Sequence, residues 1–117
     1  MRIRIVGDRE AVSDKLRKAW EHAETLTQHN QRITLSVAFN YGGRADIVDA
    51  VRRLVADGIA PDAVTEQMIS ERLSTSGMPD PDLIIRTSGG WRLSNFLLWQ
   101  AAYSEYWVTP TFWPDFS

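Results

Sequence analysis

A parallel α/β sheet flanked by helices is the fold class this sequence predicts, and three observations predict it. Short β-branched runs alternate with longer stretches of helical periodicity, in the order strand, helix, strand, helix, helix, strand, helix. The first two strand runs each end at a sharp break, Gly7-Asp8 and then Asn40-Tyr41-Gly42-Gly43. The third, Leu83-Ile84-Ile85, is wholly apolar, which suits a strand buried on both faces.

Taken in order, residues 3–6 are β-branched and read as a strand closed by a turn. From 9 to about 29 the pattern is helical, with Val12, Leu16, Ala19, Trp20, Ala23 and Leu26 on one stripe. His22 and His29 fall near its polar side and read as surface residues. Residues 33–39 alternate and form the second strand. A helix over 45–57 follows, with Ile47, Val48, Val51, Leu54 and Val55 facing inward. The break at 58–61 leads to a further helix over 62–73, carrying Val64, Met68, Ile69 and Leu73. After a loop over 74–81 comes the third strand, 83–85, then a helix opening at Ser94, then a short fourth strand over 107–109. Trp99 and Trp113 are expected in the core or at an interface, and Trp91 in or beside a site. No repeat or low-complexity segment is present.

Composition narrows the class. At 117 residues, with 44% hydrophobic and 24% charged residues, the chain has the make-up of one ordinary globular domain. A net charge of −2 without a long basic run argues against nucleic-acid binding. The absence of cysteine excludes a disulfide framework and thiolate metal sites. No apolar run reaches the roughly 18 residues of a membrane span, so a cytoplasmic location is expected, with peripheral membrane association left open.

The chemistry concentrates between Asp82 and Gln100. Arg86 falls at the carboxyl end of a strand, where open α/β sheets bind ligands. Gly89 and Gly90 allow a close backbone approach, and Ser94 is placed to cap a helix whose first N–H groups would face an anion. Arg86 and Arg92 are suited to clamp one phosphate or diphosphate through paired charged hydrogen bonds. The alternative is a solvated loop whose arginines pair with Asp80, Asp82 or Glu105.

The segments Pro81-Asp-Leu-Ile-Ile-Arg-Thr-Ser-Gly89, Arg92-Leu-Ser-Asn-Phe-Leu-Leu-Trp-Gln100, Ala102-Tyr-Ser-Glu105 and Phe112-Trp-Pro-Asp-Phe116 resemble the C-terminal signature of cis-prenyltransferases, the undecaprenyl diphosphate synthase family. Ile3-Arg-Ile-Val-Gly-Asp8 and Asn40-Tyr-Gly-Gly-Arg44 resemble it too, so the likeness spans the chain in order and spacing. It implies a partial parallel sheet with flanking helices, corresponding to the C-terminal part of the cis-prenyltransferase fold, in a single truncated domain over 1–117. It also implies condensation of isopentenyl diphosphate with an allylic diphosphate. By motif match Arg86, Arg92 and Ser94 would clamp a diphosphate, while Asn40, Arg44 and Trp91 would shape the pocket and Glu105 would approach the metal.

Two departures govern the functional expectation. Where the family has a Glu-Gln or Glu-His pair before the second arginine, this chain has Gly90 and Trp91. The family's front half, with its Met-Asp-Gly-Asn-Gly-Arg-Trp strand and Mg2+-binding aspartate, has no counterpart, nor has its basic tail. The expected function is therefore a truncated subunit, without catalytic residues of its own in isolation, of a two-component cis-prenyltransferase, supporting a catalytic partner through the dimer face. Its heterodimer partner would be a longer homologue, Mg2+ would be supplied mainly by that partner, and isoprenoid diphosphates would be the ligands. The alternatives are the C-terminal half of a split enzyme, or a non-enzymatic scaffold or isoprenoid-diphosphate binding module.

Overall fold

The computed structural model describes residues 1–115, so Phe116 of the Trp-Pro-Asp-Phe motif lies outside the described residues. The chain divides into two compact units, Met1–Gly42 and Gly43–Ser117.

The first unit is a strand, a helix and a second strand: β1 (Arg2–Val6), α1 (Asp14–Thr27) and β2 (Thr34–Ala38). The strands pair in parallel from Arg2 opposite Thr34 to Val6 opposite Ala38. The helix starts later than its periodicity suggests. Ser13 caps it by accepting from the Leu16 N–H at 3.2 Å, and Arg9, ahead of the cap, reaches back to the Ile5 carbonyl at 3.0 Å. On the edge of β1 away from β2, side chains of α1 take the place of a third strand. The Ile3 N–H donates to Thr27 Oγ1 at 2.9 Å and the Ile5 N–H to Glu24 Oε2 at 3.2 Å.

The core of this unit is thin. Val6 is its one buried apolar side chain among the described residues, and Trp20 meets Phe39 edge to face at 5.2 Å. No residue of α1 is fully buried, and Leu26 of the expected stripe is 74% exposed. A two-stranded pair offers too little surface to cover a four-turn helix. Gly7, just after β1, has φ 135°, and a β-carbon there would fall on the Phe39 carbonyl oxygen.

The second unit holds α2 (Gly43–Ala56), a 3₁₀ turn (Pro61–Ala63), α3 (Glu66–Arg72), β3 (Leu83–Arg86), β4 (Glu105–Val108) and a 3₁₀ turn (Trp113–Asp115). The predicted helix over 62–73 is split because Val64 is extended, with φ −68° and ψ 130°. Thr65 then caps α3 through the Met68 N–H at 3.2 Å. On α2 the buried face is Gly43, Ala50 and Leu54, with Ile47 half-buried on the same stripe. The expected inward residues Val48, Val51 and Val55 form a neighbouring stripe and stay 49%, 46% and 73% exposed. α2 thus carries two apolar stripes, and its own unit covers one.

β3 and β4 pair in parallel from Leu83 opposite Glu105 to Arg86 opposite Val108. The single sheet predicted is two parallel pairs among the described residues, each strand with a neighbour on one side only. Leu83, Ile85, Tyr106 and Trp107 remain 42–51% exposed. Trp113, expected in a core or interface, is 69% exposed in this chain.

The largest local disagreement follows Ser94. No helix forms there, and residues 94–103 are a series of turns. Ser94, Asn95 and Leu97 have φ of 54°, 60° and 48°, the left-handed region in which an α-helix cannot propagate. Long-range hydrogen bonds replace the helical ones. The Asn95 carbonyl accepts from the Gly43 N–H at 2.7 Å and its Oδ1 from the Arg44 N–H at 2.9 Å, closing the start of α2. Trp99 donates to Ser70 Oγ at 3.0 Å. Buried Gln100 donates to Thr75 Oγ1 at 2.9 Å and Asp46 Oδ2 at 3.4 Å, and Asp46 also accepts from the Ser74 N–H and hydroxyl. Asn95→Ala removes the cap and places alanine at positive φ. Urea unfolding should show a loss of about 2–3 kcal/mol.

Candidate functional site

Arg86 ends β3, and the backbone beyond it is pinned to the strand exit of β4. Thr109 N–H donates to the Arg86 carbonyl at 2.9 Å, Gly89 N–H to Thr109 O at 2.7 Å, and Ser88 N–H to Thr111 O at 2.9 Å. Ser88 and Gly89 both have positive φ, 67° and 73°, so the chain reverses sharply and returns past the strand end. That return lays Gly90, Trp91, Arg92 and Leu93 beside Arg86. Together with Tyr106 and Val108 they line a cavity of about 140 Å³. This is below the roughly 300–1,000 Å³ of a whole-ligand pocket.

Within it, Arg86 Nη1 donates to Ser94 Oγ at 2.9 Å. Its Nε is buried and has no hydrogen-bond partner. A buried unsatisfied donor on a cation costs about 1–3 kcal/mol, which an acceptor oxygen would offset. Arg92 lines the same cavity and is exposed. The second cation therefore stands at the solvent side of the cavity.

The predicted site residues fare differently. Arg86, Arg92 and Ser94 come together, but Ser94 does so as an acceptor for Arg86. It caps no helix, because its left-handed backbone precludes one. Trp91 lines the cavity yet is 82% exposed, so it stands at the rim without filling it. Arg44 is exposed in the first turn of α2 and is not among the cavity's lining residues. Asn40, in the first unit, has φ 52° and donates through Nδ2 to the Asp8 carbonyl at 3.4 Å, joining the turns that follow β1 and β2. Gly90 is present for room: a β-carbon there would lie 2.9 Å from Arg86 Nε and 3.0 Å from Nη2. Gln100, Asp46 and Asn95 went unnoticed as supports. Their one sequence signal is polarity inside an otherwise apolar run.

The described residues do not fit a Mg2+ site. No group of three His, Cys, Asp or Glu side chains converges among them. Glu105 starts β4 opposite Leu83, while Arg86 ends β3 opposite Val108. Three residues of strand, about 10 Å, separate their backbone positions along the sheet. Nor is any helix among the described residues long and apolar enough to cross a membrane.

Comparison with known proteins extends this picture. The family described as "Putative undecaprenyl diphosphate synthase" matches residues 1–117. An isoprenyl transferase of Agrobacterium fabrum is 57% identical over 120 residues, covering 99% of this chain and 49% of that protein. A Legionella pneumophila protein named ditrans,polycis-undecaprenyl-diphosphate synthase ((2E,6E)-farnesyl-diphosphate specific) is 50% identical over 121 residues, covering 100% of this chain and 51% of its own length. Among solved structures, lavandulyl diphosphate synthase from Lavandula x intermedia, in complex with dimethylallyl diphosphate, superposes with a TM-score of 0.94 at 39% identity. That match covers 99% of this chain and 52% of the plant chain. The chain spans about half the length of the curated relatives it matches. It belongs to the undecaprenyl diphosphate synthase family, the cis-prenyltransferases.

Proposed function

We propose that this chain contributes the isopentenyl diphosphate clamp of a cis-prenyltransferase that joins isopentenyl diphosphate to an allylic diphosphate, and that it does not turn over substrate by itself. The observation that carries this reading is the Arg86 guanidinium at the carboxyl end of β3. It is anchored on Ser94 with Nε unpaired, and Arg92 lines the same cavity. That arrangement holds a diphosphate but offers no group to ionise an allylic one. The Mg2+ and its carboxylate would come from elsewhere in the assembly, and Glu105 approaches it there if it takes part.

The assembly proposed is a heterodimer with a longer homologue that carries the metal site. Trp91 would then form the rim of the pocket. A second reading has one specific observation in its favour. Among the described residues β2, β3 and β4 are each paired on one side only and keep apolar side chains exposed, so a front half of the family fold would add strands at these edges. Either way the work would be done in the cytoplasm, where these substrates are soluble.

The test is native mass spectrometry of the chain purified with its partners, followed by incorporation of labelled isopentenyl diphosphate. We expect no turnover by the chain alone, and turnover once the partner is present. A larger family member in a one-to-one complex supports the heterodimer, and a short chain bearing the family's front half supports the second reading. Turnover by the chain alone, or a partnered complex with activity indifferent to Arg86, would refute the proposal.

A further inference from the structure

We infer that Trp91 is a specificity-determining residue of this site: its indole is the rim platform on which the first isoprene unit of a bound diphosphate lies. The inference rests on the clamp reading above and deepens it, from the anion to the carbon chain that the anion carries. Three observations carry it. The cavity of about 140 Å³ is smaller than the roughly 300–1,000 Å³ that encloses a whole ligand, so part of a prenyl diphosphate held there lies outside it. Trp91 stands at the rim with its ring in solvent, 82% exposed, and Leu93 and Tyr106, which line the same cavity, are exposed as well. Of the described residues that line it, the charged ones are Arg86 and Arg92, with no carboxylate among them.

Two cations among apolar side chains recognise an anion with an apolar tail. Tyr106 and Val108 are two residues apart on β4, so their side chains share one face of the strand and give the cavity an apolar wall. A tail that passes from the cations to solvent crosses the rim, and Trp91 is the most exposed apolar residue there. Laying the tail on one face of the indole removes apolar surface of both from water, worth about 10-fold in affinity. A glutamine, which the family carries at this place, has no comparable face. Trp91 thus favours diphosphates that carry a carbon chain and leaves inorganic pyrophosphate unaffected.

Calorimetric titration of the full chain with inorganic pyrophosphate and with isopentenyl diphosphate tests this. We expect Trp91→Gln to weaken isopentenyl diphosphate about 10-fold and pyrophosphate by less than about 2-fold. Trp91→Phe, which keeps a flat apolar ring, should stay within about 3-fold of wild type for both. Because the ring is exposed, the melting temperature of either variant should stay within about 2 °C of wild type. In the chain labelled with 5-fluorotryptophan, the ¹⁹F signal of Trp91 is assigned by its loss in Trp91→Phe. Isopentenyl diphosphate should remove most of the difference between its shifts in H₂O and D₂O, and pyrophosphate should leave that difference in place. Equal affinity losses for the two ligands in Trp91→Gln would mean that the indole supports the arginines and not the tail, and would overturn the inference. A Trp91 signal that stays as exposed to solvent with isopentenyl diphosphate bound overturns it too. Isopentenyl diphosphate binding that survives Arg86→Gln sinks the clamp reading instead, and the two ligands compared in Trp91→Gln still decide the role of Trp91. Binding of neither ligand sinks both.

Discussion

Arg86→Gln is expected to weaken binding of isopentenyl diphosphate roughly 100-fold, about 3 kcal/mol, while leaving the fold as stable as before or slightly more so. The two halves of that result have one cause. Arg86 Nε is buried without a partner, and its Nη1 is committed to Ser94. In the free chain the guanidinium is held in place at a cost, since a buried donor has given up water for nothing. On the reading proposed above, a bound diphosphate would restore the missing acceptor. Glutamine sheds the positive charge and the unpaired Nε–H, and its shorter amide gives up the exposed bond to Ser94 at little cost. Calorimetric titration together with a thermal melt separates the outcomes. A large loss of affinity with an unchanged melt marks a residue placed for a ligand, whereas a fall in melting temperature with unchanged affinity would mark a structural one.

Gly7→Ala should have the largest effect on folding, about 3–5 kcal/mol, concentrated in residues 1–42. Two penalties combine there. Alanine would have to adopt φ 135°, which L-residues rarely reach, and its β-carbon would fall on the backbone carbonyl of Phe39. A backbone atom cannot step aside as a side chain does, and Phe39 N–H is bonded to the Val6 carbonyl at 2.9 Å, so a shift would break the end of the β1–β2 ladder. With Val6 the one buried apolar side chain described in this unit, little else holds it together. Hydrogen exchange of the β1 and β2 amides should show their protection lost. Retained protection would mean that the turn after β1 can be rebuilt without glycine.

The contrast between the three glycines shows how far sequence reading goes. The sequence reads Gly7 as part of a turn, and Gly89 and Gly90 as room for a close backbone approach. Gly7 turned out to be required by both φ and space, Gly89 by φ, and Gly90 by the space that Arg86 occupies. A string of residues cannot separate these cases, because the atoms that would clash at Gly7 and Gly90 belong to another segment or another side chain, and the φ of Gly89 is set by the folded loop.

By itself the sequence determined the family, the parallel strands, and their rough limits. β-branched runs and helical stripes are local patterns, and the order of motifs identifies the lineage without any geometry. It also put Arg86, Arg92 and Ser94 close together at the end of one strand, a proximity that spacing gives whatever the details. Tertiary structure alone decided that the segment after Ser94 is a set of turns. Asn95, Trp99 and Gln100 spend their hydrogen bonds on α2, α3 and the loop at 74–75, and those distant partners outweigh a helical pattern that looked sound locally. Tertiary structure also decided which of two apolar stripes on α2 is buried. Periodicity gives a helix its stripes, but only the surface packed against it says which stripe is covered.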